Sequence, residues 1–197
     1  MNIKQRLQSM PGHCDEIPLP KGIPFEDYRP PNWDEFFMLK VYLTAQKSKD
    51  PRTKIGAVLV RDRRDLISGY NGIPEGVKDL HDRFERPVKY MFFEHAERNA
   101  IFTAARHGIR TEGATLYVQA LPCVDCARAI IQSGIRRIYV HEQFYKLSTK
   151  INREKWIGHD DITMQMFDEA EVELVMLNLP NLKVDAYLDG LVYHLGC

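Results

Sequence analysis

The amino-acid sequence predicts an α/β protein of three layers, α/β/α, built on a five-stranded mixed sheet. Short β-branched runs alternate along the chain with segments of helical period, the pattern of a sheet covered by helices on both faces. Two of the five runs are joined by a short turn as a hairpin, and the others are separated by helices. At 197 residues, 44% hydrophobic and 27% charged, the chain has the size and composition of one domain with extensions, and enough apolar residues for a buried core.

Six of the 11 prolines fall between Pro11 and Pro31. Proline blocks helix interiors and central strands alike, so residues 1–31 are expected to form an arm lying over the domain or over a neighbouring subunit. Asn32 then caps a helix predicted over 33–47. Glu35 stands at its third position to complete a capping box, and Phe36, Leu39 and Leu43 share one face at i, i+3, i+7 spacing. Pro51 disfavours helix at Asp50 and closes the segment. The run I-G-A-V-L-V at 55–60, the turn D-R-R-D and the run L-I-S-G-Y-N-G at 66–72 make a hairpin.

Residues 72–93 carry glycine, proline and charge with little period and read as loop. Helical period returns from His95 to His107, with Ala96, Ala100, Ile101 and Ala104 on a small packable face and Gly108 placed to end it. A strand at 115–119 follows, then a helix opening at the cysteine pair and stopped by Gly134, then a strand at 136–141. A helix near 160–169 and a strand at 171–177 complete the alternation. The domain proper is expected over 32–178, and residues 179–197 form a C-terminal tail whose pattern assigns no element.

Composition narrows the function classes. Twenty-seven basic residues against 27 acidic ones give a formal net charge of 0, a weak start for holding a phosphate polymer, so a small substrate is favoured over nucleic acid. The longest apolar runs fall short of the ~20 residues a membrane span needs. The N-terminus M-N-I-K-Q-R-L-Q-S-M lacks the apolar stretch of a signal peptide, and the expected compartment is the cytosol. Of the four cysteines, Cys14, Cys123, Cys126 and Cys197, the close pair 123/126 in a cytosolic chain points to metal or redox chemistry.

The chemistry concentrates in E-H-A-E-R-N at 94–99 and L-P-C-V-D-C at 121–126. His95 opens a helix after a loop, and Cys123 and Cys126 open another directly after a strand, so the two segments are expected to meet where helix N-termini gather beyond strand ends. One imidazole and two thiolates make three ligands for tetrahedral Zn2+ and leave one position for water, the mark of a catalytic zinc. Glu97, two residues past the His, is placed to take a proton from that water. Asp125 reads as a first-turn helix charge. His81, His107, His141, His159 and His194 read as surface or loop histidines, and no known spacing joins His13, Cys14 and His81 into a second metal site.

H-x-E followed by P-C-x-x-C is the signature of zinc deaminases, and the chain resembles the cytidine and deoxycytidylate deaminase superfamily, most of all its dCMP-deaminating branch. The resemblance covers about residues 33–177. It rests also on A-Q-K-S-K-D-P-R-T-K-I-G-A-V at 45–58, G-Y-N-G-I-P-E-G at 69–76, H-A-E-R-N-A-I at 95–101 and P-C-V-D-C-A at 122–127. It implies the cytidine-deaminase-like fold, zinc on His95, Cys123 and Cys126, and Glu97 as proton shuttle in converting dCMP to dUMP and ammonia.

The same resemblance puts Asn71 at the sugar and the backbone N–H of Ala96 and carbonyl of Leu121 at the base edge. Ser48 and Lys49 become candidates for the 5′-phosphate, shared with Arg52 or Arg98. It implies a homo-oligomer, hexameric in several relatives, and dCTP and dTTP as effectors at Gly69, Tyr70 and Gly72. Arg98 departs from the usual apolar residue, and the charged segment 146–161, with Trp156, is longer than the pattern and implies a reshaped pocket. The rival readings are a deaminase of another free nucleotide, nucleoside or base, or of tRNA adenosine, and a non-catalytic zinc-stabilised binding module.

Overall fold

This computed structural model describes Gly22, residues 29–156 and residues 158–196. His13, Cys14, Cys197 and nearly all of the proline-rich segment read as an arm lie outside these residues. The chain divides after Pro30, and the architecture below is that of the unit from Pro31 on.

Helix α1 (Trp33–Ala45) starts with the expected capping box: the Asn32 Oδ1 accepts from the Glu35 N–H at 2.9 Å, and Glu35 Oε2 accepts from the Asn32 N–H at 2.8 Å. Its buried face is Phe37, Met38, Val41, Tyr42 and Ala45, not the predicted stripe, and Leu43 is 72% exposed. The helix W-D-E-F-F-M-L-K-V-Y-L-T-A is apolar nearly all round, so spacing alone did not choose the face. Contact with the sheet chose it. A Cβ at Gly56 would lie 2.1 Å from the Val41 carbonyl oxygen, so the helix backbone sits directly on that glycine.

Strands β1 (Gly56–Arg61) and β2 (Arg64–Tyr70) form the expected hairpin. Asp62 and Arg63 turn it with φ of 51° and 58°, the left-handed pair that suits the twist of two antiparallel strands. After a 3-10 turn (His81–Phe84) and the short α2 (Lys89–Phe92) come α3 (Ala96–Arg106), β3 (Thr115–Val118), α4 (Val124–Gln132) and β4 (Arg137–His141). Then follow α5 (Glu142–Trp156), α6 (His159–Glu169) and β5 (Glu173–Leu177). The sheet order is β2-β1-β3-β4-β5, with β3 antiparallel to β1 and the last three strands mutually parallel. The five-stranded mixed sheet is therefore as predicted.

Alternate residues of each strand feed two cores. On one face Ala57, Leu59, Leu116, Val118, Ile138 and Val140 pack with Ala100 of α3, Ile130 of α4 and Phe167 of α6. On the other, Val58, Val60 and Tyr117 pack with α1 and with Phe144 of α5. These are the three layers.

Three readings need revision. The segment 146–161, read only as long and charged, is helix from Glu142 and continues as α6 after residue 158. The tail contains a second hairpin, β6 (Val184–Leu188) and β7 (Leu191–Leu195), whose Ala186, Leu188 and Leu195 join the α1-side core. His141 is fully buried rather than at the surface, because it closes β4 against the Tyr42 ring and hydroxyl. Among the described residues no helix is long and apolar enough to cross a membrane.

Candidate active site

His95 is the N-cap of α3 and Cys123 the N-cap of α4, both with extended backbone (ψ 154° and 169°), so each side chain leaves its helix at the positive end. α3 approaches β2 closely because small residues face small ones: a Cβ on Gly69 would lie 2.4 Å from the Ala96 oxygen and 2.5 Å from the Ala100 nitrogen. α4 follows β3 after a five-residue passage from Gln119 to Cys123. The segments expected to meet do meet. His95 Nδ1 lies 3.4 Å from Cys123 Sγ and 3.6 Å from Cys126 Sγ.

Among the described residues these three make one convergent group of potential metal ligands, with donor atoms all within 4.8 Å of one another. The spacing passes a numerical test. Zinc at ordinary bond lengths to nitrogen and sulfur and at a tetrahedral angle requires an N···S separation of about 3.6 Å. Both cysteines are free thiols, Cys126 buried and Cys123 partly so, and the donor set therefore fits Zn2+.

The three donors are electrostatically coupled. His95 is raised to about 9, first by its hydrogen bond with Cys123. Cys123 is held down to about 4, first by the bond from Cys126, whose own thiol the same bond and burial push up. Zinc bound here would displace the His95 proton, because a metal-ligating imidazole is neutral. Glu97, 5% exposed, has its carboxyl raised above the ordinary range by burial, with the His95 charge opposing. A buried carboxyl beside this group holds a proton readily and gives it up readily.

The other predicted residues stand in different states. Ala96 is the first residue of α3, where a backbone N–H has no partner within the helix. Leu121 lies in the half-buried passage between β3 and α4. Ser48 is buried, its hydroxyl donating to the Asn71 carbonyl at 2.8 Å and accepting from the Asp50 N–H at 3.2 Å. The Asn71 side chain accepts from the Ile55 N–H at 2.8 Å and donates to Asp50 and to the Thr53 carbonyl. Both thus build the 48–55 loop. Lys49 faces solvent, its ammonium on Asp79, and Arg52 is 3.9 Å from Glu85.

The G-Y-N-G stretch is tied to α3. Asn99 donates to the Tyr70 carbonyl at 2.7 Å, and Gly72 and Glu94 exchange backbone hydrogen bonds at 3.0 and 2.8 Å. Sequence reasoning assigned no role to Asn99, although asparagine inside a helix beside a small apolar face was a signal. It also missed the buried pair of Lys89 and Asp50, the latter also bonded to Asn71. No local pattern announced a buried ion pair across 39 residues.

A convergent His-Cys-Cys donor set beside a buried carboxyl matches a class: the zinc hydrolases that remove an amino group, the deaminases. The family profile described as the cytidine and deoxycytidylate deaminase zinc-binding region matches residues 31–142. The chain belongs to that family and is a zinc-dependent hydrolytic deaminase.

It is 38% identical over 151 residues to an uncharacterized deaminase in the luxG 3′ region of Aliivibrio fischeri, covering 77% of this chain and 97% of that one. It is 32% identical over 185 residues to the deoxycytidylate deaminase of Enterobacteria phage T4, covering 72% of this chain and 92% of that one. The crystal structure of the cyanophage S-TIM5 dCMP deaminase in complex with dCMP and dUMP aligns with a TM-score of 0.55 at 25% identity, over 76% of this chain and all (100%) of that one.

Proposed function

We propose that the protein converts dCMP and water to dUMP and ammonia. The observation that carries the deamination chemistry is the buried Glu97 carboxyl beside the His95, Cys123 and Cys126 donors. The choice of dCMP is supported by the phage T4 relative and by the nucleotides named for the S-TIM5 structure. His95, Cys123 and Cys126 hold the zinc. With zinc on these residues the site would hold a water of pKa about 7, a nucleophile at neutral pH. Glu97 would carry both protons of the incoming water in turn: the first to the ring nitrogen beside the amino group, and the second, taken from the new hydroxyl as it becomes the carbonyl, to the departing nitrogen. Atoms balance, since one water adds and one ammonia leaves.

The Ala96 N–H and the Leu121 carbonyl orient the base edge, Asn71 meets the sugar, and Ser48 and Lys49 meet the phosphate. We extend the reading to a cytosolic homo-oligomer, hexameric as in the resemblance, supported by the exposed Tyr90, Met91 and Phe102 (60%, 86% and 55%). Effector control by dCTP and dTTP through Gly69, Tyr70 and Gly72 is supported by the ties of that stretch to α3.

Ammonia release from dCMP, CMP, dCTP, deoxycytidine, cytosine, guanine and adenosine, each with and without dCTP or dTTP, tests the assignment. Selective turnover of dCMP is expected. Glu97→Gln should retain zinc and lose about 100-fold or more in rate. Turnover only of another compound moves the substrate assignment, and a wild-type rate in Glu97→Gln removes that residue from the proton path.

A further inference from the structure

We propose that Arg98 is a positioning residue whose guanidinium clamps the two ligand-bearing helices together at the metal centre; the proposal rests on the zinc reading above. Arg98 Nε donates to Glu94 Oε1 at 2.5 Å, and the same oxygen accepts the backbone N–H of His95 at 3.0 Å. On its far side Arg98 Nη1 lies 3.5 Å from Asp125 Oδ2. Asp125 stands in the first turn of α4, between the two cysteines. One side chain therefore spans from the residue before the imidazole ligand to the residue before the second thiolate ligand.

Both footings are anchored. Glu94 is held through its backbone by the paired bonds to Gly72, and the other oxygen of Asp125 is held by Arg128. The Arg98 and Glu94 side chains are 21% and 25% exposed, so water screens that pair little, and the more open Asp125 contact is screened more. A planar guanidinium presents donors along two edges at once, in fixed relation, and lysine's single ammonium does not. Glu94 and Asp125 also bring two negative charges near a thiolate site, and Arg98 offsets part of that charge while fixing the spacing between His95 and the cysteine pair. This use of Nε and Nη1 is distinct from a phosphate contact.

The test is zinc transfer from the loaded protein to the chromophoric chelator 4-(2-pyridylazo)resorcinol. Loss of a partner that orients metal ligands typically weakens the metal 10- to 100-fold. Arg98→Leu should therefore release zinc about 10-fold faster or more, with Arg98→Lys in between and all the metal-free proteins still folded. Asp125→Asn, a change at a side chain 57% exposed, should act in the same direction. Combining it with Arg98→Leu should add little, since both break one link.

Zinc release at the wild-type rate in Arg98→Leu overturns the clamp, and a raised KM for dCMP with unchanged release makes Arg98 a phosphate contact instead. Should Arg98→Leu fail to fold, Asp125→Asn carries the test alone, and unchanged release there overturns the proposal. A wild-type protein that holds no zinc sinks the zinc reading and the clamp together; zinc retained equally by all variants sinks only the clamp.

Discussion

His141 shows how a single buried residue writes pH into stability. It is fully buried, its Nδ1 lies 2.7 Å from the Tyr42 hydroxyl, and its Nε2 has no hydrogen-bond partner among the described residues. Burial lowers its pKa from 6.5 to about 4, against a smaller opposing pull from Glu142. The unfolded chain takes up this proton below its ordinary pKa and the folded chain refuses it. Stability contributed here is full above about 6.5, falls as pH drops toward about 4, and levels off below, for a total of about 3 kcal/mol. Urea unfolding across that range should show the loss in the wild type and a flatter dependence in His141→Gln. Equal slopes would mean that His141 is charged in the folded state.

At the scale of elements, the approach of α3 to β2 sets the position of His95 and Glu97. Gly69→Ala places a methyl against backbone atoms of Ala96 and Ala100, which no side-chain rotation relieves. Overpacking of this kind costs about 1–3 kcal/mol, and the shift falls on the first turn of α3, so turnover should drop as well. Gly72→Ala is the control, because its nearest neighbour is the Tyr70 ring at 3.9 Å. Unfolding and ammonia release on both variants check this. If Gly69→Ala keeps full stability and rate, the contact does not position the site.

For the whole molecule, the C-terminal hairpin reaches back to the 52–54 loop. Lys54 N–H donates to the Tyr187 carbonyl at 3.2 Å, Gly190 N–H to the Arg52 carbonyl at 2.8 Å, and Asp189 N–H to Thr53 Oγ1 at 3.2 Å. Leu188 anchors the hairpin in the α1-side core. Leu188→Ala should cost about 2–5 kcal/mol, measured by urea unfolding, and raise KM for the nucleotide while zinc content stays at the wild-type level. A stability loss with KM unchanged would disconnect the hairpin from substrate binding.

The sequence by itself determined what short-range physics decides. Asn32 and Glu35 are three residues apart, and the capping box they form needs nothing beyond the first turn of its own helix. The two helix starts bearing His95 and Cys123, and the one-turn spacing of Cys123 and Cys126, are likewise local, which is why the candidate zinc site was legible before any fold. Tertiary structure decided whatever depends on a partner distant in the chain. It chose which face of α1 is buried, through Gly56, and it buried His141. It enclosed Asp50 with Lys89, joined Arg98 to Asp125, and folded the tail onto the 52–54 loop. A nearly all-round apolar helix, or a charged side chain taken alone, has several states of similar free energy, and only the surface that packs against it separates them.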